Sequence, residues 1–185
     1  MLTRNSTTAW GWPAIMLHWV GAAMILLLLG HGWWMTHFAL RPDRLAYYAG
    51  HAALGYDFLA LLILRLLWRW MNPVPALPSG LKPWEQRLAS LSHLLLYVLM
   101  LLCTLVGWAL AGTARGGLNK DVFGLQVPFI YTSQDRAIHG MLEDTHKVLA
   151  YLLAALVLVH AVAALRHHFI KRNDVLRRMT VGSRV

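Results

Sequence analysis

Cysteine and charged residues are scarce in this sequence. The single cysteine, Cys103, lies within an apolar stretch, so a disulfide framework is excluded and a small buried side chain is expected there. Asp, Glu, Lys and Arg together make up 14% of the chain, against about a quarter in ordinary soluble domains. Apolar residues make up 58%, which is far too much for a disordered chain. This composition argues against both an ordinary soluble protein and a disordered one.

Four apolar stretches are long enough to cross a membrane as helices. A hydrocarbon core about 30 Å thick requires about 20 helical residues, and the four spans are about residues 13–35, 46–70, 89–111 and 143–168. No small-residue cleavage site follows Arg4, so the first span is expected to be retained rather than removed as a signal peptide. The sequence therefore predicts an all-α, integral membrane four-helix bundle that forms a single domain over residues 1–185.

The distribution of basic residues predicts the orientation of this bundle. The formal net charge is +9, from 17 Lys and Arg against 8 Asp and Glu. Eleven of these basic residues lie near the two termini or around the second connection, and six lie on the opposite side. Positively charged segments stay on the cytoplasmic side, so both termini are expected in the cytoplasm of a bacterium, with a multi-pass protein in its inner membrane. The same clustering at span ends favours membrane lipid over nucleic acid as a partner.

Ten histidines are many for a chain of this kind. A polar side chain that faces lipid is costly, so intramembrane histidines are functional candidates. His146 and His160 are 14 residues apart in the fourth span, which places them on one helix face and about 21 Å apart along the axis. His51 in the second span and His18 in the first lie at matching depths. We name His51 with His146 the outer pair, and His18 with His160 the inner pair.

Two facing imidazoles in an apolar bundle are suitable axial ligands for the iron of a planar porphyrin. The sequence therefore predicts two non-covalent haem b groups, because a Cys-x-x-Cys-His motif for covalent attachment is missing. Gly55, one turn after His51, is expected to leave room for a macrocycle. Arg65 shares the face of His51 at the depth of the inner pair, and we expect it to neutralise a haem propionate.

The other histidines are expected at the two ends of the bundle. Those toward the outer side are assigned to an interface or to solvated connections; they are His31, His37 and His139. Those toward the inner side could end or cap a helix, or could hydrogen-bond a quinone; they are His93, His167 and His168. Asp57 is turned by about 240° from His51 on the second helix, so a proton relay through it lacks support.

The residues that carry a family resemblance lie in three of the four spans. They are His18-Trp19, His51 with Gly55, and His146 with His160 followed by residues 161–168. In order, spacing and number of spans, the chain resembles the prokaryotic cytochrome b561 family over roughly residues 12–179. The resemblance implies a small dihaem membrane protein whose axial ligands are the histidines of the inner and outer pairs, the same four that the depth argument selects.

The resemblance also implies a function. Members of this family exchange electrons with the quinone pool, and some are superoxide oxidases that pass electrons to ubiquinone. We therefore expect ubiquinone as substrate, and superoxide or another periplasmic redox donor as partner. Basic residues near the outer pair could attract anionic superoxide, although acidic residues on the same side leave the sign of the field open. These basic residues are Arg41, Arg44, Arg115 and Lys120.

Two alternative functions remain open at this stage. The first is a cytochrome b subunit that relays electrons for an external dehydrogenase, as in the longer subunits of hydrogenases and formate dehydrogenases. The second is a non-haem transporter lined by histidines, which would be colourless. The colour of the purified protein separates the second alternative from the haem proteins.

Overall fold

Four long helices dominate the computed structural model, which describes residues 2–40, 43–77, 81–114, 118 and 121–180. They are α1 (Trp12–His37), α2 (Arg44–Met71), α3 (Pro83–Thr113) and α4 (Arg136–Phe169). Each is long and apolar enough to cross a membrane. The predicted all-α four-helix membrane bundle is confirmed.

The helices extend beyond the apolar spans that predicted them, and α4 differs most. It begins at Arg136, where the Asp135 carboxylate accepts a hydrogen bond of 2.7 Å from the backbone N–H of Ala137. One turn apart near its start, Glu143 and Lys147 form an ion pair of 2.7 Å, and such pairs support a helix. Charged residues thus interrupt the apolar span without interrupting the helix. His139, expected in a connection, lies in α4 instead, so that prediction was wrong.

The core of the bundle is built from all four helices. It consists of Ile25 from α1, Phe58 and Leu62 from α2, Leu96 and Met100 from α3, and Leu153 from α4. The most extensive packing is between α3 and α4, followed by α1 with α2 and then α2 with α3. The inner pair joins α4 to α1, and the outer pair joins α4 to α2. Among the described residues, neither of these two helix pairs is among the three that pack most extensively.

The connection between α3 and α4 folds back against α2. Within it, a two-stranded antiparallel hairpin pairs β1 (Asp121–Val122) with β2 (Leu125–Gln126). The backbone N–H of Phe123 donates a hydrogen bond of 2.7 Å to Asp57 Oδ1 on α2. Asp57, which the sequence left without a role, is therefore an anchor for the hairpin.

The described segments that precede α1 and follow α4, residues 2–11 and 170–180, lie at one end of the bundle. The C-terminal segment, residues 170–180, runs from α4 to α1, where Trp19 Nε1 donates a hydrogen bond to the Met179 carbonyl. Glu85, in the first turn of α3, is buried and forms an ion pair with Lys171. These contacts hold the segment across the end of the bundle nearest the inner pair.

Candidate functional site

The outer pair faces a cavity between the helices. The ring centroids of His51 and His146 are 6.2 Å apart and the ring planes are nearly perpendicular, at 86°. Both rings line a cavity of about 420 Å³. Gly55 also lines this cavity, and a Cβ built on it would meet no atom within 4 Å. The space beside His51 is therefore open in the way expected for a bulky planar ligand.

The inner pair has nearly the same geometry at the other end of α4. The ring centroids of His18 and His160 are 6.4 Å apart, with an interplanar angle of 70°. The structure thus brings together both pairs of rings that the sequence matched by depth. All four candidate side chains project from helices whose core packing fixes their positions.

The ring separations leave room for a metal atom within each pair if one nitrogen of each ring faces the other ring. Centroids 6.2 and 6.4 Å apart would then leave about 4 Å between the two nitrogens, enough for two metal–nitrogen bonds of about 2 Å each. Among the described residues, no group of three or more His, Cys, Asp or Glu side chains could hold a bare metal ion. A porphyrin supplies four ligands of its own and needs only two more from the protein, so two histidines would be sufficient.

In the outer pair, one ring is held by a hydrogen bond and the other is not. His146 Nδ1 lies 3.0 Å from the Cys103 carbonyl and donates to it, which leaves Nε2 free to face His51. His51 Nδ1 is buried and has no hydrogen-bond partner among the described residues. Cys103 is buried, as its apolar surroundings predict. Its carbonyl could not be recognised from the sequence, because a backbone group carries no residue-type signal.

The inner pair is surrounded by basic and aromatic side chains. Arg65 Nη2 donates a hydrogen bond of 2.9 Å to His18 Nδ1. The guanidinium groups of Arg65 and Arg69 lie 5.4 and 5.6 Å from the centre of the Tyr97 ring. The ring of His93 is 5.4 Å from that of His160. Arg65 and the inner pair were predicted to share a depth, whereas the position of Tyr97 requires the packing of α3 and was missed. His93 was expected to cap the third helix or to contact a quinone; it lies well inside α3, which begins at Pro83, so the capping role was wrong.

Three of the remaining histidines lie toward the outer end of the bundle. His31 lies 5.8 Å from His51, ring to ring, so it is closer to the outer pair than its assignment to an interface indicated. His37 is the last residue of α1 and not part of a connection, so that placement was wrong, although its side chain is exposed as expected. His139 Nδ1 shares a hydrogen bond of 2.8 Å with Thr113 Oγ1.

Only one of the four basic residues proposed to attract superoxide is described. Arg44, at the start of α2, is exposed and donates a hydrogen bond of 3.0 Å to the Tyr48 hydroxyl. Arg41, Arg115 and Lys120 lie outside the described residues.

Comparison with known proteins identifies relatives that are similar to this chain over nearly its whole length. Residues 9–182 match the family model described as prokaryotic cytochrome b561. The chain is 30% identical to cytochrome b561 homolog 2 of Escherichia coli (strain K12), over 95% of this chain and 93% of that protein. It is 27% identical to cytochrome b561 homolog 1 of the same organism, over 89% and 93%. It is also 27% identical to the probable superoxide oxidase CybB of Yersinia pestis, over 89% and 92%.

Proposed function

This chain belongs to the prokaryotic cytochrome b561 family, and on that premise we propose that it binds two haem b groups and passes electrons from superoxide to ubiquinone. Membership establishes electron transfer in a membrane and a haem b cofactor. The number of haems, the ligands, the electron donor and the acceptor are the proposed part.

The spacing of the two histidine pairs carries the proposal. Both pairs have ring centroids just over 6 Å apart, and both are contributed by helices that pack less closely on each other than their neighbours do. When bound, haem supplies a one-electron carrier with no open coordination position, which suits outer-sphere transfer. With His146 and His160 about 21 Å apart along α4, two such carriers would cover much of a hydrocarbon core about 30 Å thick.

The hydrogen bond between Arg65 and His18 supports a role for Arg65 beside a propionate. A guanidinium only donates hydrogen bonds, so His18 Nδ1 accepts, and its proton resides on Nε2. If His18 held a metal through Nε2, its proton would lie on Nδ1, which could then no longer accept a hydrogen bond from Arg65. The guanidinium of Arg65 would then be free to pair with a carboxylate, such as a haem propionate.

The mouth of the outer cavity suits a planar group with one polar edge. Most of the lining is apolar, whereas Thr36, Tyr48, Glu143 and Lys147 line it toward the connections between the helices. Lys147 is held there by its ion pair with Glu143. An amphipathic macrocycle would place its apolar body in the interior and its carboxylates beside these polar groups.

The proposed reaction is balanced by two superoxide ions for each quinone. Each superoxide loses one electron and becomes dioxygen, and two electrons with two protons convert ubiquinone to ubiquinol. One relative is named a probable superoxide oxidase, which supports this donor.

We place the protein in a bacterial inner membrane with both termini in the cytoplasm, because most basic residues lie at that end. Inward electron movement then opposes an inside-negative potential by about 2.3 kcal/mol per 100 mV, so a strongly reducing donor is needed.

The decisive experiment measures haem per chain in the purified protein, together with a dithionite-reduced minus oxidised spectrum. We expect two haem b groups per chain and a six-coordinate spectrum. Colourless protein from cells supplied with haem would overturn the proposal and favour the histidine-lined transporter.

A second assay tests the donor and acceptor. Superoxide is generated enzymatically, and its removal is followed with and without a soluble ubiquinone. We expect superoxide to disappear faster when quinone is present. One ubiquinol should form for every two superoxide ions that the protein oxidises. A haem-loaded protein that leaves superoxide unchanged would instead favour the subunit that relays electrons for an external dehydrogenase.

A further inference from the structure

Two glycines lie directly against the imidazole rings of the outer pair. A Cβ built on Gly107 of α3 would lie 2.9 Å from Cε1 and 3.2 Å from Nδ1 of His146. A Cβ built on Gly32 of α1 would lie 3.2 Å from Cε1 of His51. Each separation is shorter than ordinary van der Waals contact, so any side chain at either position would press on a ring.

The ring of His146 cannot easily move away from such a side chain. Its Nδ1 is held by the Cys103 carbonyl, which lies one turn before Gly107 on the same helix. Together, the carbonyl and the bare glycine Cα form a notch in α3 that fixes both the position and the rotation of the ring. His51 lacks a comparable hydrogen bond among the described residues, so its contact with Gly32 is the less constrained of the two.

Two other glycines of the bundle lack such contacts. A Cβ on Gly30 of α1, or on Gly140 of α4, would meet no atom within 4 Å. Glycine is also a poor helix former relative to alanine, so helix formation gives no reason for glycine at positions 32 and 107. The contact with an imidazole gives one.

We propose that Gly32 and Gly107 are positioning residues for the outer pair, and that Gly107 sets the orientation of the His146 ring toward the iron. This inference rests on the proposed function, because it assumes that the outer pair ligates haem iron. The atoms nearest to a Cβ on either glycine all belong to the outer pair, so we expect replacement of either to act on the outer haem.

The test compares Gly107→Ala and Gly32→Ala with two matched controls, Gly30→Ala and Gly140→Ala. Alanine favours a helix over glycine, so the chain is expected to fold in all four variants. A fifth variant, Gly107→Val, places a larger side chain against the ring of His146. Three quantities are measured on each purified protein: haem per chain, the low-spin ferric signals in electron paramagnetic resonance, and carbon monoxide binding after reduction. A His146→Ala variant identifies the signal of the outer haem.

We expect the controls to keep two haems, two unshifted low-spin signals and no carbon monoxide binding. In Gly107→Ala, the outer signal should shift or be lost, with carbon monoxide bound at one haem, while the inner signal stays unchanged. Gly32→Ala should shift the same signal less, and Gly107→Val should lose the outer haem. Two haems with an unshifted outer signal in both variants of Gly107 would overturn this inference alone. Absence of haem from the unaltered protein and the controls would overturn the proposed function instead.

Discussion

At the scale of single residues, the two candidate pairs differ in how the second ring nitrogen is held. His146 donates to a backbone carbonyl, and His18 receives a hydrogen bond from a buried arginine. The hydrogen bond of His146 leaves Nε2 unprotonated and available to a metal, whereas the bond from Arg65 to His18 would have to break before His18 could ligate through Nε2. The outer and inner haems are therefore expected to have different electronic surroundings, although both pairs consist of two histidines.

Replacement of the histidines should separate the two haems by pairs. His51→Ala and His146→Ala should each lower the haem content from two to one per chain, and should remove the same low-spin signal. His18→Ala and His160→Ala should both remove the other signal. The exposed His37 provides a matched control, since His37→Ala should retain both. Loss of different signals within one pair would contradict the pairing.

Replacement of Arg65 should act on the inner haem. We expect Arg65→Leu to lower the inner-haem potential, because a nearby cation disfavours the more positive ferric form. The expected shift is on the order of 60 mV, the one-electron equivalent of about 1.4 kcal/mol. Weaker retention of that haem is the other expected sign. Redox titration and haem analysis of Arg65→Leu measure these two effects, and Arg87→Leu, which replaces an exposed arginine, is the control. Unchanged potentials and unchanged haem content in Arg65→Leu would contradict the role assigned to Arg65.

The candidate residues that the sequence predicted are those that periodicity and depth define. Helical geometry relates His146 to His160 and places Arg65 at the depth of the inner pair, without knowledge of neighbouring helices. The carbonyl of Cys103, the ring of Tyr97 between two arginines and the contact of Gly107 depend on how α3 is rotated against α2 and α4. Hydropathy does not encode that rotation.

At the scale of secondary structure elements, apolar stretches predicted the number of helices but not their ends. The ends depend on short-range contacts, such as the cap that Asp135 provides for α4 and the bond from the Lys82 N–H to Glu85 at the start of α3. The hairpin between α3 and α4 was not predicted, since each strand has only two residues. Its attachment to α2 depends on Asp57, in a helix distant along the chain.

The hairpin should become more mobile when the carboxylate of Asp57, which accepts the hydrogen bond from Phe123, is removed. We expect Asp57→Ala to remove about 1 kcal/mol of local stability and to speed hydrogen exchange of the Phe123 amide roughly five-fold. Asp57→Asn retains an oxygen that can accept the bond, and should stay near the unaltered rate. Exchange measured by mass spectrometry on peptides from this connection tests the anchor. Equal rates in all three proteins would show that the hairpin is held by other contacts.

At the scale of the whole molecule, charge and apolar surface are arranged along one axis. Basic residues are concentrated at the end that carries both termini, while many large apolar side chains are exposed along the helices, as expected for a surface in contact with lipid. Charge asymmetry predicts an orientation because the insertion of short connections depends on it. The field around the outer pair was less predictable, since acidic and basic residues are mixed there.

The reaction with superoxide should depend on ionic strength if basic residues steer the anion. We expect the rate to fall as salt rises toward about 0.1 M, where screening acts over about 10 Å. Arg44→Gln should lower the rate at low salt and flatten this dependence, whereas Arg177→Gln, at the opposite end, should leave both unchanged. Stopped-flow or steady-state assays over a salt series measure the effect. A flat response in the unaltered protein would contradict steering and leave the electron transfer itself unaffected.

Helix α4 supplies one histidine to each pair, and it is the last of the four helices to leave the ribosome. In the proposed arrangement, neither site can be completed while the nascent chain is still being inserted. Haem loading would then be post-translational, and a chain truncated before α4 would retain neither haem. Haem content would thus report whether synthesis had reached the end of the bundle.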